Sequence, residues 1–237
     1  MNPLIRLIEC ESTNSEILNY LDNLSDGIVS LYTGNQTKGR GQYGNVWQSG
    51  KELNLSFSMA VCCKSISISD IAFNFHTAVL TREFIDKLSE EYVAIKWPND
   101  LIMKNKKIAG LLVEKIKLNN REYYIFGVGI NLLQVDFGTL TSAGSIYSQS
   151  GVKLEIDYFA NEFHQYLSNH IFNANDKEIL NSLNHFLFRK NKISVFEINN
   201  SRQNGIITKV DNDGFLEIEL EKDGLKKFTY KEVKLLY

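Results

Sequence analysis

The sequence predicts an α+β fold in which a mixed β-sheet flanked by helices is followed by a small all-β segment. Helical and strand patterns both occur up to residue 188, and from Arg189 onward only short strand patterns occur. Within this second region, Asn212-Asp213-Gly214 and Asp223-Gly224 are turn sequences typical of β-hairpins. We therefore expect two domains, residues 1–188 and residues 189–237, the second being a small β-barrel.

The individual elements follow from capping residues and hydrophobic periodicity. Thr13 and Glu16 stand at capping-box spacing, which predicts a helix that ends at Asp26-Gly27. Ser69-Asp70 predicts the start of a second helix. Two further helices are predicted over residues 158–171 and 177–188. The predicted strands cover residues 28–32, 53–59, 92–97, 108–116, 123–130, 193–198, 205–210, 215–220 and 228–236.

Two of these predictions concern exposure and connection. Apolar and polar residues alternate over residues 53–59, which predicts a half-buried strand with one face in the core. Asn119-Asn120 is a plausible turn between two neighbouring strands.

The stretch Thr139–Gly151 is small and polar, so we expect a mobile loop that closes over a ligand.

Composition and charge exclude several classes of function. The 237 residues carry a net charge of −2 and are 43% apolar, so nucleic acid is not the expected partner. The three cysteines form no C-x-x-C motif, and the four histidines have no metal-ligand spacing, so no metal site is expected. A signal peptide and a membrane span are not predicted, so we expect a cytoplasmic protein without a membrane partner.

A glycine-rich segment is the first candidate for chemistry. Gly39-Arg40-Gly41-Gln42-Tyr43-Gly44 formally matches G-x-G-x-x-G, but no helical pattern follows it, which excludes a dinucleotide-binding turn. Closely spaced glycines let backbone N–H groups surround an anion, and Arg40 adds a permanent charge. Trp47 offers a flat face on which a base could stack. An ordinary surface loop anchored by a tryptophan fits the composition equally well.

Two strand ends are further candidates. Lys96-Trp97-Pro98-Asn99-Asp100 follows an apolar strand, where a lysine is costly unless it meets an anion. Lys96 beside a developing negative charge would stabilise a transition state. The alternative is that its ammonium extends to solvent while Trp97 packs. Gly127-Val128-Gly129-Ile130-Asn131 indicates close approach of a ligand or a bulge. No G-x-S-x-G motif is present, so covalent nucleophilic catalysis is not supported.

In combination and in order, these motifs resemble those of the biotin–protein ligases. The match covers most of the chain, and K-W-P-N-D together with the arginine–glycine loop is its most specific part. The matching segments are Ser12-Thr13-Asn14, Gln36 with Gly39-Arg40-Gly41-x-x-Gly44 and Trp47, Asn54–Ser58, Lys96–Asp100, Lys107-x-x-Gly110 through Glu114, and Gly129-Ile130-Asn131. The family departures are Gln42, where many members carry an arginine that helps retain the activated intermediate, and Lys38, where many carry alanine.

The resemblance implies a class II synthetase-like catalytic domain and an SH3-like C-terminal domain. It implies ATP-dependent formation of biotinyl-5′-AMP, with Mg²⁺ accompanying ATP, and transfer of biotin to a lysine of a biotin carboxyl carrier protein. A homodimer through the main sheet is implied as well. The N-terminal DNA-binding domain of repressor-type members is not expected, because the S-T-N motif begins at residue 12.

The resemblance also assigns roles to individual residues. Arg40 and Lys96 are the expected catalytic residues, which bring the biotin carboxylate and the α-phosphate together. The residues expected to bind biotin are Ser12, Thr13, Asn14, Gln36, Gly39, Arg40, Gly41, Gln42, Lys96 and Gly110. Those expected to bind ATP are Arg40, Trp47, Asn99, Lys107 and Asn131. Asp100 is expected equally to assist Mg²⁺ or to cap its own turn.

Two other functions remain open at this point. A lipoate or octanoate protein ligase is related in fold, although the polar Ser12-Thr13-Asn14 and Gln36 favour a ureido ring over a bare acyl chain. A non-enzymatic biotin-binding protein, such as a sensor or adaptor, would carry the same pocket without turning over ATP.

Overall fold

A seven-stranded mixed sheet forms the centre of the larger part of the chain. The computed structural model describes residues 2–21 and 27–237. Strand order in the sheet is β1-β2-β5-β9-β8-β7-β6, with β1 and β2 parallel and all other neighbours antiparallel. The strands are β1 (Leu4–Arg6), β2 (Ile28–Thr33), β5 (Asn54–Cys62), β6 (Val93–Lys96), β7 (Asp100–Met103), β8 (Lys106–Leu118) and β9 (Arg121–Asn131). The glycine-rich segment forms a separate two-stranded ribbon, β3 (Gly39–Arg40) and β4 (Val46–Trp47).

Helices cover one face of this sheet. These helices are α2 (Asp70–Ser89), α3 (Ile146–Ser150), α4 (Ile156–His170) and α5 (Asp176–His185), whereas the short α1 (Thr13–Glu16) lies on the other face, against Ser58. Phe163 of α4 packs edge-on against Phe57 of β5, with ring centroids 5.1 Å apart. The predicted start of α2 is confirmed, because the Ser69 hydroxyl accepts a hydrogen bond from the Ala72 N–H. In the described ranges, no helix is long and apolar enough to cross a bilayer.

The opposite face of the sheet carries small polar residues. Strand β5 is buried along its whole length, so the prediction of a half-buried strand over residues 53–59 was wrong. Its polar positions Asn54, Ser56 and Ser58 are all buried. Because side chains alternate along a strand, these three share one face. The polar face of the alternating pattern therefore lies inside the protein.

The C-terminal region forms a second, five-stranded antiparallel sheet. Its strands are β10 (Ile193–Ile198), β11 (Ser201–Val210), β12 (Leu216–Leu220), β13 (Gly224–Phe228) and β14 (Lys234–Leu236), in the order β13-β12-β11-β10-β14. The edge strands β13 and β14 are not paired with each other, so the sheet is open where a closed barrel was expected. The single strand predicted over residues 228–236 is divided by a turn. Hydrogen bonds are among the contacts that hold this sheet to the larger part. Trp97 Nε1 donates to the Gly214 carbonyl over 3.1 Å, and the Asn184 side chain donates to the Val210 carbonyl and accepts from the Val210 N–H.

Other local predictions differ from the structure at polar segments. The helix predicted from residue 13 to residue 26 is a single α turn followed by a 3₁₀ turn over residues 17–20, and Asp26 lies outside the described residues. The hydrophobic pattern did not predict strands β1 and β7, which have only three and four residues. The segment expected to be a loop over residues 139–151 contains α3, which begins in a Ser145–Ser148 capping box. The predicted turn at Asn119-Asn120 is confirmed, because both residues have positive φ.

Candidate active site

A cavity lies between the β3–β4 ribbon, the start of α1 and the polar face of the main sheet. Its volume is about 90 Å³, well below the 300–1,000 Å³ usual for pockets that hold a small organic ligand. Eleven of the residues predicted to bind substrates line it: Ser12, Thr13, Asn14, Gln36, Arg40, Gly41, Gln42, Trp47, Asn99, Lys107 and Gly110. The remaining three, Gly39, Lys96 and Asn131, are not part of its wall. Segments from five separated regions of the chain thus meet in one place.

One end of the cavity is a preorganised cluster of small polar groups. The Gln36 side-chain carbonyl accepts hydrogen bonds from the Thr13 N–H and hydroxyl, over 2.9 and 3.2 Å. The Ser58 hydroxyl lies 2.6 Å from Asn14 Oδ1 and 2.8 Å from the Thr13 hydroxyl. Gly127 is needed below Asn14, because a Cβ there would overlap the Asn14 amide. Such a dense set of donors and acceptors suits a polar heterocycle.

Arg40 is held across the cavity by a carboxylate. Its two terminal nitrogens donate to the two oxygens of Glu114 over 3.1 and 3.0 Å, which is the bidentate geometry favoured by arginine. Asn14 Nδ2 donates to the same carboxylate over 2.8 Å. The Arg40 side chain is about half exposed, so an incoming anion can reach it and compete with Glu114.

Trp47 fills the other end of the cavity. Its ring lies on Gly129 of β9 and Gly110 of β8, and a Cβ at Gly129 would overlap the indole. The indole N–H and the Ser56 hydroxyl are buried without a hydrogen-bond partner among the described residues. Unpaired buried polar groups are uncommon in folded proteins, and both of these face the same cavity wall.

The structure assigns different surroundings to the two candidate lysines. The Lys107 ammonium lines the cavity, lies 2.6 Å from Asp100 Oδ1 and stands 5.5 Å from the centre of the Trp47 ring. The Lys96 ammonium lies 3.5 Å from the other oxygen of Asp100 and 5.3 Å from the centre of the Tyr237 ring. Lys96 therefore faces the C-terminal sheet, and Lys107 is the lysine of the cavity wall, at the Trp47 end. Asp100 contacts both ammonium groups.

Two predicted contact residues support the backbone of the site. Asn131 is buried, and its amide donates to the Gly144 carbonyl over 2.9 Å, which secures the segment before α3. Asn99 lies in the cavity wall, but its amide donates to the Leu111 carbonyl over 2.6 Å. Both side chains are already occupied by carbonyl acceptors. Gly39 is buried against the Trp47 carbonyl, where any Cβ would overlap it.

Ser56 and Tyr230 are among the residues of the cavity wall that sequence reasoning missed. Ser56 is signalled by the alternation of polar and apolar residues in β5, once the polar face is recognised as the site side. Tyr230 comes from the turn after β13. Burial raises the pKa of Tyr230, with the negative charge of Asp100 adding to the effect, so its phenol is neutral at physiological pH. No local pattern marks Tyr230, because its position depends on how the two sheets pack.

The chemistry available in the cavity is binding and charge neutralisation. Burial raises the pKa of both the Cys10 and the Cys63 thiol to about 11, so neither is a thiolate at neutral pH. Over residues 2–21 and 27–237, no three metal-ligating side chains of His, Cys, Asp or Glu lie together. Arg40, beside the polar cluster, and Lys107, near Trp47, instead provide two cations in the cavity wall. They suit a reaction that joins two anions.

Comparison with protein families agrees with this chemistry. The model of the family described as "Biotin/lipoate A/B protein ligase family" matches residues 7–131. The chain is similar to the "Bifunctional ligase/repressor BirA" of Escherichia coli K12, with 28% identity over 148 residues, which cover 61% of this chain and 46% of that protein. It is similar to the "Biotin--[acetyl-CoA-carboxylase] ligase" of Mycobacterium tuberculosis, with 26% identity over 131 residues, or 52% of this chain and 47% of that protein. The chain matches about half the length of these curated relatives.

Comparison with solved structures concerns the whole fold. A biotin protein ligase from Aquifex aeolicus, in complex with biotin and ATP, superposes with a TM-score of 0.73 and 22% identity over 100% of this chain and 99% of that one. The biotin acetyl coenzyme A carboxylase synthetase from Helicobacter pylori, with bound biotinylated ATP, gives a TM-score of 0.64 and 21% identity over 95% of this chain and all of that one. The mixed α+β fold is thus shared with proteins of these names.

Proposed function

Because the chain belongs to the biotin/lipoate A/B protein ligase family, we propose that it activates biotin with ATP and transfers the biotinyl group to a lysine of a carrier protein. The observation that carries the proposal is the cavity itself. It combines a polar cluster around Thr13 and Gln36, two cations at Arg40 and Lys107, and an indole seated on Gly129. These three parts correspond to a ureido ring, a pair of anions and a nucleobase.

The first step joins two groups that repel each other. A biotin carboxylate oxygen attacks the α-phosphorus of ATP, the bond to the β-phosphate oxygen breaks, and biotinyl-5′-AMP and pyrophosphate result. Arg40 would exchange Glu114 for a substrate anion, and Lys107 would neutralise charge that develops on the α-phosphate. Holding the carboxylate and the phosphate in line supplies the remaining acceleration.

The second step needs a nucleophile from outside the protein. The neutral amine of a carrier lysine attacks the acyl carbon, the bond to the AMP oxygen breaks, and an amide, AMP and a proton are formed. The ribbon tip around Gln42 would shield the mixed anhydride from water until the lysine arrives. With the Cys10 and Cys63 thiols protonated, a direct transfer without a covalent enzyme intermediate suits this chain.

The substrate contacts divide between the two ends of the cavity. The proposed biotin contacts are Ser12, Thr13, Asn14, Gln36, Arg40, Gly41, Gln42 and Gly110, and the proposed ATP contacts are Arg40, Trp47, Asn99 and Lys107. Gly39 and Asn131 would act by supporting the backbone of the site. Lys96 would act on Asp100 instead of on the substrates. We assign Mg²⁺ to the ATP phosphates, because Mg²⁺ is commonly held by one or two carboxylates plus substrate phosphates, and Asp100 is the nearby carboxylate.

The remaining assignments concern domains and partners. We propose residues 1–188 as the catalytic domain and residues 189–237 as an SH3-like accessory domain. The second substrate we propose is the carrier domain of an acyl-CoA carboxylase, and the name of the Mycobacterium tuberculosis relative, which specifies acetyl-CoA carboxylase, supports it. A homodimer through the main sheet is a further expectation, which sedimentation would test.

The adenylation step is tested by pyrophosphate exchange into ATP. We expect exchange that depends on biotin and Mg²⁺ and falls strongly in Lys107→Ala. Exchange with lipoate but not with biotin would move the protein to the lipoate branch, which the family description also names. Biotin binding by calorimetry with no exchange would identify a binding protein and contradict the proposal.

A further inference from the structure

The ribbon that covers the cavity has little support of its own. Strands β3 and β4 contribute two residues each, and they pair with each other but not with the main sheet. A two-stranded ribbon is marginal in water unless other groups hold it. At its tip, Tyr43 has a φ of 56°, a left-handed conformation that is unfavourable for a tyrosine. Contacts outside the ribbon must therefore hold its tip in place.

The C-terminal region supplies these contacts. The rings of Tyr43 and Tyr230 stack with centroids 4.6 Å apart and planes inclined by 15°. The side-chain amide of Asn45, also in the ribbon, hydrogen-bonds the Tyr230 phenol. The Lys231 ammonium lies 5.0 Å from the centre of the Tyr43 ring and donates to the Tyr43 carbonyl over 3.4 Å. Two consecutive residues thus hold the ribbon tip by its side chains and its backbone.

Tyr230 is itself firmly supported. The Glu232 carboxylate accepts a hydrogen bond from the Thr229 N–H over 2.6 Å, which closes the turn that presents Tyr230. Phe228, immediately before this turn, is buried in the core. Tyr230 also lines the reaction cavity. It therefore connects a well-packed part of the C-terminal region directly to the cover of the site.

We propose that Tyr230 is a positioning residue that holds the glycine-rich ribbon over the cavity, so that the C-terminal sheet controls how long the activated intermediate stays bound. The inference rests on the proposed function, because the intermediate is the acyl-adenylate of that reaction. We call the contacts of Tyr230 and Lys231 with Tyr43 and Asn45 the clasp. With the clasp intact, the ribbon tip stays over the cavity and excludes water. Without it, the tip opens more often, and the intermediate escapes or hydrolyses before a carrier lysine arrives.

Hydrogen exchange tests the clasp without relying on the identity of any substrate. In Tyr230→Ala, we expect the amides of residues 39–47 to exchange about 2- to 12-fold faster, the range expected for loss of one aromatic pair. Exchange in β5 should not change. Tyr230→Phe keeps the stacked ring and loses only the Asn45 hydrogen bond, so exchange should rise less than in Tyr230→Ala. Tyr92→Ala, which removes an exposed tyrosine at Phe186, is the matched control. Unchanged exchange of residues 39–47 in Tyr230→Ala would overturn the proposal.

A kinetic measurement extends the test to the intermediate. The excess of AMP released over biotin transferred, in the presence of a limiting carrier domain, should rise about 2- to 12-fold in Tyr230→Ala. Tyr43→Ala should have a similar effect, and the double variant should fall short of the two effects combined, because both single variants remove the stacked pair. Additive effects would contradict the clasp. A wild type that forms no adenylate would contradict the proposed function and leave the exchange result as the independent test of the clasp.

Discussion

The two lysines around Asp100 should differ sharply in their effect on the rate. Lys107 lines the cavity with its ammonium 2.6 Å from Asp100, and Lys96 lies 3.5 Å from the same carboxylate, on the side of Tyr237. Removal of a group that stabilises transition-state charge costs about 10²–10³ in kcat. The Lys96–Asp100 pair is partly exposed and its atoms are 3.5 Å apart, so it contributes about 0–1 kcal/mol, or at most about a fivefold effect. Lys107→Ala should therefore be at least about 20 times more damaging than Lys96→Ala.

Single-turnover adenylation measures this difference directly. The enzyme is mixed in excess with radiolabelled ATP, biotin and Mg²⁺, and pyrophosphate release is followed for each variant. Lys104→Ala is the matched control, because Lys104 is a half-exposed lysine paired with Glu91 outside the cavity. Thermal unfolding of all variants separates a loss of fold from a loss of rate. Equal losses in Lys96→Ala and Lys107→Ala, or a greater loss at Lys96, would refute the assignment of the cavity cation to Lys107.

Two further predictions concern the floor of the cavity and the acid stability of the fold. Gly129→Ala should raise the KM for ATP about fivefold or more, because the new methyl group displaces Trp47 and overpacking costs about 1–3 kcal/mol; an unchanged KM and unchanged tryptophan fluorescence would contradict it. Hydrogen bonds from Tyr124 and then Lys115 hold the pKa of Asp70 below its usual range. That stabilisation is complete above the unfolded pKa of about 4 and is lost as the pH falls through the lower folded value. Asp70→Asn should therefore reduce the loss of unfolding free energy, measured in urea, as the pH falls below about 4. An unchanged pH dependence would show that Asp70 contributes nothing to it.

Hydrophobic patterns predict the helix-flanked sheet, but they do not show that its polar face lines the candidate site. The apolar residues of β5 predict the core side correctly, and Ser69 marks the start of α2. The polar residues of β5 were interpreted as solvent-facing, since a periodicity of two does not distinguish water from a polar site. Ser56 and Ser58 lie in that site, so the pattern was detectable while its meaning depended on tertiary packing.

The first turn of α1 shows why local rules failed at the site. Thr13 and Glu16 have capping-box spacing, but Ser12 is the N-cap residue and no side-chain capping bond forms. The Thr13 hydroxyl instead donates to Gln36 and lies beside Ser58. The prediction of a capping box was wrong, because the same hydroxyl is used to build the polar cluster. Such local conflicts are expected at functional sites.

The positions of Lys107 and Tyr230 at the cavity depend on packing between segments that are distant in sequence. Lys96 was chosen because it ends an apolar strand, a local property, whereas the cation in the cavity depends on which strands neighbour each other. Strand β8 carries Lys107 next to β7, so Asp100 pairs with Gly110 in register and meets Lys107. Tyr230 reaches the cavity only because the C-terminal sheet packs against Trp97. Neither proximity has a signal in nearby sequence.

The mass of a carrier domain tests the central claim most directly. The purified protein is incubated with ATP, Mg²⁺, biotin and the biotin-carrier domain of an acyl-CoA carboxylase, and a parallel sample contains lipoate. We expect the carrier to gain one biotinyl group on its lysine, with the gain strongly reduced in Arg40→Ala and Lys107→Ala. A carrier that gains only a lipoyl group, or that gains nothing while the protein binds biotin, would contradict the assignment of this chain as a biotin–protein ligase.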